Sequence, residues 1–368
     1  REFKKDTYTA NIMMRLALNE QHMLSAGING EYQHNRRNGW GFIIPDFETT
    51  SFGAYAFDRY TIKKDLILNA WVRYDHVTTN IHSYNDWFKT PINATDSVYK
   101  QRSQDLHRSF NSLTWSAGIN YATGNWILKA NIGKSFRVPI PKELGTDGIN
   151  YHIFRYEKGN PTLNPEESYQ LDLGLRWGND KVTVQFDPYL NYFPNYIYMN
   201  PTPNYYEGLQ WYYYTQSRVI RSGFELQANW KILPFLSAEV KGEYLYAEQL
   251  SGEKKGYTLP FSTPWSADMT LKYDYCQQKV GNEGFIALNF HVVGRQNNIV
   301  PPEKPTPGYY TLNLSAGKDF AFGDKKLHLS LNAENLLNRK YYDHTSFYRL
   351  IDVPEPGRNV ALMVGFDF

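Results

Sequence analysis

Apolar and polar residues alternate along most of this chain. Near its end, Val360, Leu362, Val364, Phe366 and Phe368 are apolar, while Asn359, Ala361, Met363, Gly365 and Asp367 between them are mostly small or polar. The same alternation runs through Leu66, Leu68, Ala70, Val72 and Tyr74, with Asn69, Trp71, Arg73 and Asp75 between. It recurs at Tyr169, Leu171, Leu173, Leu175 and Trp177, and again at Leu327, Leu329, Leu331 and Ala333. A strand turns successive side chains to opposite faces, so each segment predicts a strand with one apolar face. Helical periodicity is hard to find anywhere in the chain. The pattern predicts an all-β, antiparallel protein. Its apolar face either covers a soluble core or meets lipid on the outside of a barrel.

The links between strands decide which. Short links fall near 19–22, 63–65, 123–125, 179–181, 232–235 and 322–326, with a looser one at "CQQKVGNEG". Long links fall near 37–49, 84–107, 139–167, 200–210, 249–265, 297–309 and 342–358. Short and long links alternate without a break, the layout of an outer-membrane barrel with tight turns on one rim and long loops on the other. An Arg turned to mid-bilayer lipid costs roughly 2–4 kcal/mol, so Arg73 and Arg176 assign the polar faces to a wet interior. The segments predict about 15 strands. Bacterial single-chain barrels have an even number, so residues 1–368 are expected to form the C-terminal portion of a larger, 22-stranded barrel. In barrels of that size the lumen is plugged, and the plug is expected in a part of the protein outside this chain.

Composition narrows the function classes. A net charge of +2 implies no polyanion-binding field, and no nucleic-acid partner is expected. Mean hydropathy of -0.58 and the lack of long apolar runs exclude helical membrane spans, but not a barrel, where only alternate residues meet lipid. The single Cys276 leaves no internal disulfide framework. No nucleophile elbow or zinc-type spacing points to an enzyme, and no cofactor or bound metal is expected. The 30 Tyr, 21 Phe and 9 Trp suit both interface girdles and ligand-binding loops.

Several segments, in order, resemble one family. "NAENLLNRKYYDH" and "PEPGRNVALMVGFDF" resemble the penultimate and last strands of TonB-dependent outer-membrane receptors. "SFGAYAFDRYTIKKDLILNAWVRYDH" is similar to their mid-barrel hairpin, and "PTPGYYTLNLSAG" also fits. "GKSFRVPIPKEL" and "GNPTLNPEESYQLDLGLRW" look like the pair of boxes flanking one long loop. The resemblance implies a multi-pass protein of the Gram-negative outer membrane that takes up a scarce, bulky nutrient, driven through the TonB complex of the inner membrane. The TonB box would lie with the plug. The "PEPGRN" ending resembles siderophore and cobalamin receptors more than the starch-utilisation type. In outer-membrane proteins generally a terminal aromatic is read by the barrel-assembly machinery, a role that falls here to Phe368 unless it serves only as lipid-facing girdle.

The long links carry the candidate ligand residues. Between the two boxes lie His152, Phe154, Arg155 and Tyr156. Haem receptors of this family place an axial-ligand histidine between similar boxes, which would make His152 a haem-iron ligand and haem a cargo rather than a cofactor. The link "PTPNYYEGLQWYYY" offers Tyr205, Tyr206, Trp211 and Tyr213 for stacking on an iron chelate, while alternate members of Trp211–Tyr214 suit an aromatic girdle. The expectation is a ferric siderophore or related chelate. Haem, cobalamin, a passive porin and an adhesin barrel are the alternatives.

Overall fold

The structure is a computed structural model that describes residues 2–39, 41–275, 283–322 and 325–367. Among these it holds nineteen strands. They are β1 (Phe3–Ala17), β2 (His22–Arg37), β3 (Phe47–Lys63), β4 (Leu66–Ile81), β5 (Tyr84–Pro91), β6 (Ser97–Ser103), β7 (Leu106–Thr123) and β8 (Trp126–Arg137). A one-turn helix, α1 (Pro141–Gly145), precedes β9 (Asp147–Asn150) and β10 (Arg155–Lys158). There follow β11 (Glu166–Gly178), β12 (Val182–Tyr206), β13 (Leu209–Leu233), β14 (Leu236–Gln249) and β15 (Ser266–Tyr275). The last are β16 (Gly284–Val293), β17 (Tyr309–Phe322), β18 (Lys325–Glu334) and β19 (Asn359–Asp367).

Setting aside the β5–β6 hairpin and the two short strands β9 and β10, fifteen long strands remain, the number the alternation predicts. Each pairs antiparallel with the next long strand, from β1–β2 through β4–β7 and β8–β11 to β18–β19. No pairing joins β1 to β19 among the described residues, and both edge strands are almost wholly exposed. The sheet is thus an open section of barrel wall. Phe368 lies outside the described residues.

The polar face has the expected register. Arg73 grips Asp75 in a two-pronged ion pair (2.5 and 2.7 Å) and donates to Asn29 Oδ1 at 2.7 Å. Its neighbours Val72 and Tyr74 turn outward, 46% and 45% exposed. Val360, Leu362 and Val364 are likewise exposed rather than sandwiched under a second sheet. The buried apolar residues collect instead at the long-link end. Phe47, Ile81, Leu144, Leu163 and Ile197 form one cluster, and Phe193, Tyr198, Val219, Ala247 and Leu259 another. The apolar core therefore lies beneath the long links.

One expected loop proves to be strand. The 200–210 link is the tip of a hairpin, because β12 and β13 both run 25 residues and turn only at Glu207 and Gly208, where φ is positive. At about 3.3 Å per residue each strand reaches roughly 80 Å, far more than the ~30 Å hydrocarbon layer needs. Bulges between Phe193 and Tyr196 and between Pro201 and Tyr205 admit the prolines that had suggested a loop.

Candidate functional site

The tall hairpin is a post on which the 138–165 link is built. β9 and β10 pair antiparallel, and β10 then pairs parallel with β13, setting Arg155 beside Gln210, Tyr156 beside Trp211 and Glu157 beside Tyr212. The feet of the link are clamped at the two boxes. Arg137 holds Glu143 at 2.8 Å and Glu166 at 3.2 Å, while Glu143 Oε2 also accepts the Ile140 N–H at 2.9 Å. Gly159 packs where an added Cβ would lie 2.8 Å from the Gly145 and Thr146 amides. Its own N–H donates to Thr146 O at 2.6 Å, closing the loop on itself.

Alternation along β10 gives the link two faces. On one face Glu157 is fully buried between Lys142 Nζ (2.5 Å) and Arg155 Nε (2.9 Å), and its Oε1 also accepts from Asn150 at 3.0 Å. Burial pushes its carboxyl upward, but Arg155 and Lys142 outweigh burial and hold it below the usual range. On the other face Tyr156 is 2% exposed, stacked on Tyr206 at 4.4 Å and edge-on to Trp211 at 5.4 Å. The Tyr156 hydroxyl donates to Asp147, and burial together with that carboxylate raises its pKa. Lys100 sits over the Tyr206 ring at 4.4 Å, and Arg102, paired with Asp86 at 2.7 Å, ties the β5–β6 hairpin to the Asp147 carbonyl.

The sequence-predicted residues therefore divide. Tyr156, Tyr206 and Trp211 come together, closed on one another. Arg155 is occupied by Glu157 and lies over the rings of Tyr212 (4.9 Å) and Phe347 (5.2 Å). Phe154 takes a left-handed φ of 53° and leans on Tyr348. Tyr213 turns away, accepting from Asn200 and donating to Glu253, both at 2.9 Å. His152 stands exposed on the Tyr151–Ile153 turn, with no hydrogen bond to the described residues. Tyr205 is 67% exposed and borders a cavity.

That cavity, of about 300 Å3, lies between the hairpin tip and the links at 294–308 and 335–358. Tyr205, Tyr212, Tyr342, Lys304 and Arg349 line it, with Pro302, Pro305 and Pro307 adding flat apolar surface. Glu303 forms part of the wall, joined to Arg349 at 3.2 Å and accepting the Phe261 N–H at 3.0 Å. Sequence reasoning missed Lys304, Tyr342 and Arg349. They come from two links whose distant pairing no local pattern announces, although the proline run at 301–307 marks a rigid segment.

A family model described as "TonB dependent receptor-like, beta-barrel" matches residues 3–336. Among solved structures, the copper transporter OprC matches with a TM-score of 0.78 at 17% identity, over 98% of this chain and 56% of that one. The FrpB iron transporter from Neisseria meningitidis matches with a TM-score of 0.69 at 16% identity, over 98% and 55%. The Serratia marcescens hemophore receptor HasR, in complex with its hemophore HasA and heme, matches with 0.66 at 19%, over 99% and 59%. At such identities the likeness shows the fold alone, and the chain spans a little over half the length of these receptors. With its fifteen-stranded wall and the family match along most of its length, the chain belongs to the TonB-dependent receptor β-barrel family.

Proposed function

We propose that this wall belongs to an outer-membrane receptor that takes up a ferric siderophore or related iron chelate, energised through TonB. The observation that carries the reading is the cavity at the long-link rim. It sets the rings of Tyr205 and Tyr342 beside exposed Lys304, with buried Tyr212, the paired Arg349 and Glu303, and Asp352 completing the wall. Rigid amphipathic rings suit packing against the flat catecholate-type groups of a chelator, and Lys304 suits its net negative charge. The iron in such a cargo is already fully coordinated, so the protein needs no metal ligands of its own. Lipid faces the apolar side of the wall, the barrel-assembly machinery would insert it, and TonB would act through the part of the receptor beyond this chain.

Haem is the second reading, favoured by exposed His152 and by the likeness to HasR. Its weakness is local: Tyr156 is closed beneath Tyr206 and Trp211, and Arg155 is held by Glu157, so neither is free for a porphyrin or its propionates. Titration of the full-length receptor with ferric chelates and with haem separates the two. On the first reading Tyr205→Ala weakens chelate binding by roughly 2- to 10-fold, the worth of one aromatic contact, and His152→Ala changes nothing. A haem Soret band lost in His152→Ala, with no chelate bound by wild type, would overturn it.

A further inference from the structure

We propose that the rim links enclosing the cavity are held shut by an acid-labile clasp centred on His344, so that the cargo site loosens as the surroundings acidify. The proposal deepens the uptake reading by adding regulation to the same site. Its test needs no cargo, so either can fail alone.

Two parallel chains of contacts cross the same three links. In the first, His344 Nδ1 meets Thr306 Oγ1 at 2.9 Å, and Thr306 and Gln296 exchange backbone hydrogen bonds at 3.0 and 3.1 Å. Gln296 Nε2 then donates to Ser262 O at 2.8 Å. In the second, Arg349 reaches Glu303, which accepts from the Phe261 amide. The Phe261 ring packs edge-on to Phe347 at 5.1 Å, with Arg349 above it at 5.1 Å. Arg349 Nε also donates to the His344 carbonyl at 2.7 Å, binding the two chains together. Glu303, Thr306 and Arg349 all line the cavity, so the clasp is one of its walls.

His344 is the vulnerable member. It is 1% exposed, and its Nε2 is buried without a hydrogen-bond partner. A proton there would find no acceptor, and the new charge would sit beside Arg349. The other charged groups near it offer no refuge. Asp343 favours the imidazolium, but its oxygens are already taken by the Thr345 amide and hydroxyl and by the Tyr309 hydroxyl. Glu303 faces Arg349, and Lys304 lies exposed on the cavity side. Burial first and Arg349 second depress the His344 pKa from 6.5 to about 4. A site that must stay neutral takes up fewer protons closed than open, so closure is fully favoured above about pH 6.5 and is lost as pH falls toward 4. Glu303, whose pKa burial raises, works the opposite way. A comparison that leaves Glu303 in place cancels its contribution.

Hydrogen exchange on the full-length receptor tests this, read as protection factors for segments 255–265, 294–308 and 338–352. Between pH 7 and 5.5 the His344 shift predicts that wild-type protection falls roughly eightfold more than in His344→Asn, whose amide can still meet Thr306. Equal pH responses in the two proteins would overturn the proposal. Should the variant fold poorly, the wild-type ring titrated by NMR decides: a His344 midpoint below about pH 5 supports the clasp, and one near 6.5 refutes it.

Discussion

Replacing Glu157 with Gln removes a carboxylate and keeps its shape, leaving Arg155 and Lys142 facing an amide at a position that is itself fully buried. Removing one partner of a buried pair typically costs about 3–5 kcal/mol, because the remaining charge is left uncompensated. Here the orphaned cations are not fully sealed, with side chains 11% and 20% exposed. Lys142 can regain part of its hydration, so the expected cost is roughly 2–3 kcal/mol. The loss is local, since Glu157 stabilises the β9–β10 hairpin against the tip of β13, the one wall strand that β10 pairs with among the described residues. Hydrogen exchange over residues 147–158 should therefore speed up by roughly 30- to 150-fold, with the wall strands other than the tip of β13 unchanged. The pH dependence follows from the lowered carboxyl. Its contribution is present above about 4.5 and fades as pH falls through the lower value of the folded state, a fade the variant should lack. Unchanged exchange in 147–158 would show that this loop does not depend on its buried charge.

The lipid assignment is testable by comparing faces. Leu288→Arg, on the outer face of β16, should lower folding stability by roughly 2–4 kcal/mol in bilayers, whereas Ser330→Arg on the inner face of β18 should cost far less. Denaturant titration into liposomes reads both, and equal costs would contradict the register. On the inner wall, Gly53 sits where an added Cβ would lie 2.2 Å from Arg73 Nη2 and 2.6 Å from Asp75 Oδ1. Gly53→Ala should displace that ion pair and cost about 1–3 kcal/mol; an unaltered midpoint would show that Arg73 has room to move.

Most of the wall was legible from the sequence because a barrel strand carries its information locally, in period-two alternation and in the residues of its turns. The fifteen long strands stand in the structure, as do the tight turns near 63–65 and 123–125. The 200–210 link, by contrast, is a hairpin tip, and most of the link "CQQKVGNEG" lies outside the described residues. The tall hairpin was misread because Pro201 and Pro203 interrupt the pattern and Trp211–Tyr214 are apolar or amphipathic on both faces, which hides alternation. Tyr212 and Trp211 then found partners in Arg155 and Tyr156, contacts made by parallel pairing of segments about 55 residues apart. Such pairing leaves no local trace. The same limit applies to the cavity, where Tyr205, Lys304 and Arg349 meet from three separate links. His152 stands on a backbone turn that sends it to solvent, while Tyr156 of the same link closes against Tyr206 and Trp211.

Uptake of an iron chelate through this barrel is the proposal on which the rest turns. Its most direct test is accumulation of radioactive iron by iron-starved cells that carry or lack the full-length receptor, supplied with a panel of ferric siderophores and with haem. Import of at least one siderophore should require both the receptor and TonB and fall in the Tyr205→Ala strain, while haem import should be indifferent to the receptor. Siderophore import that proceeds equally without the receptor across the panel, or with TonB removed, would contradict it.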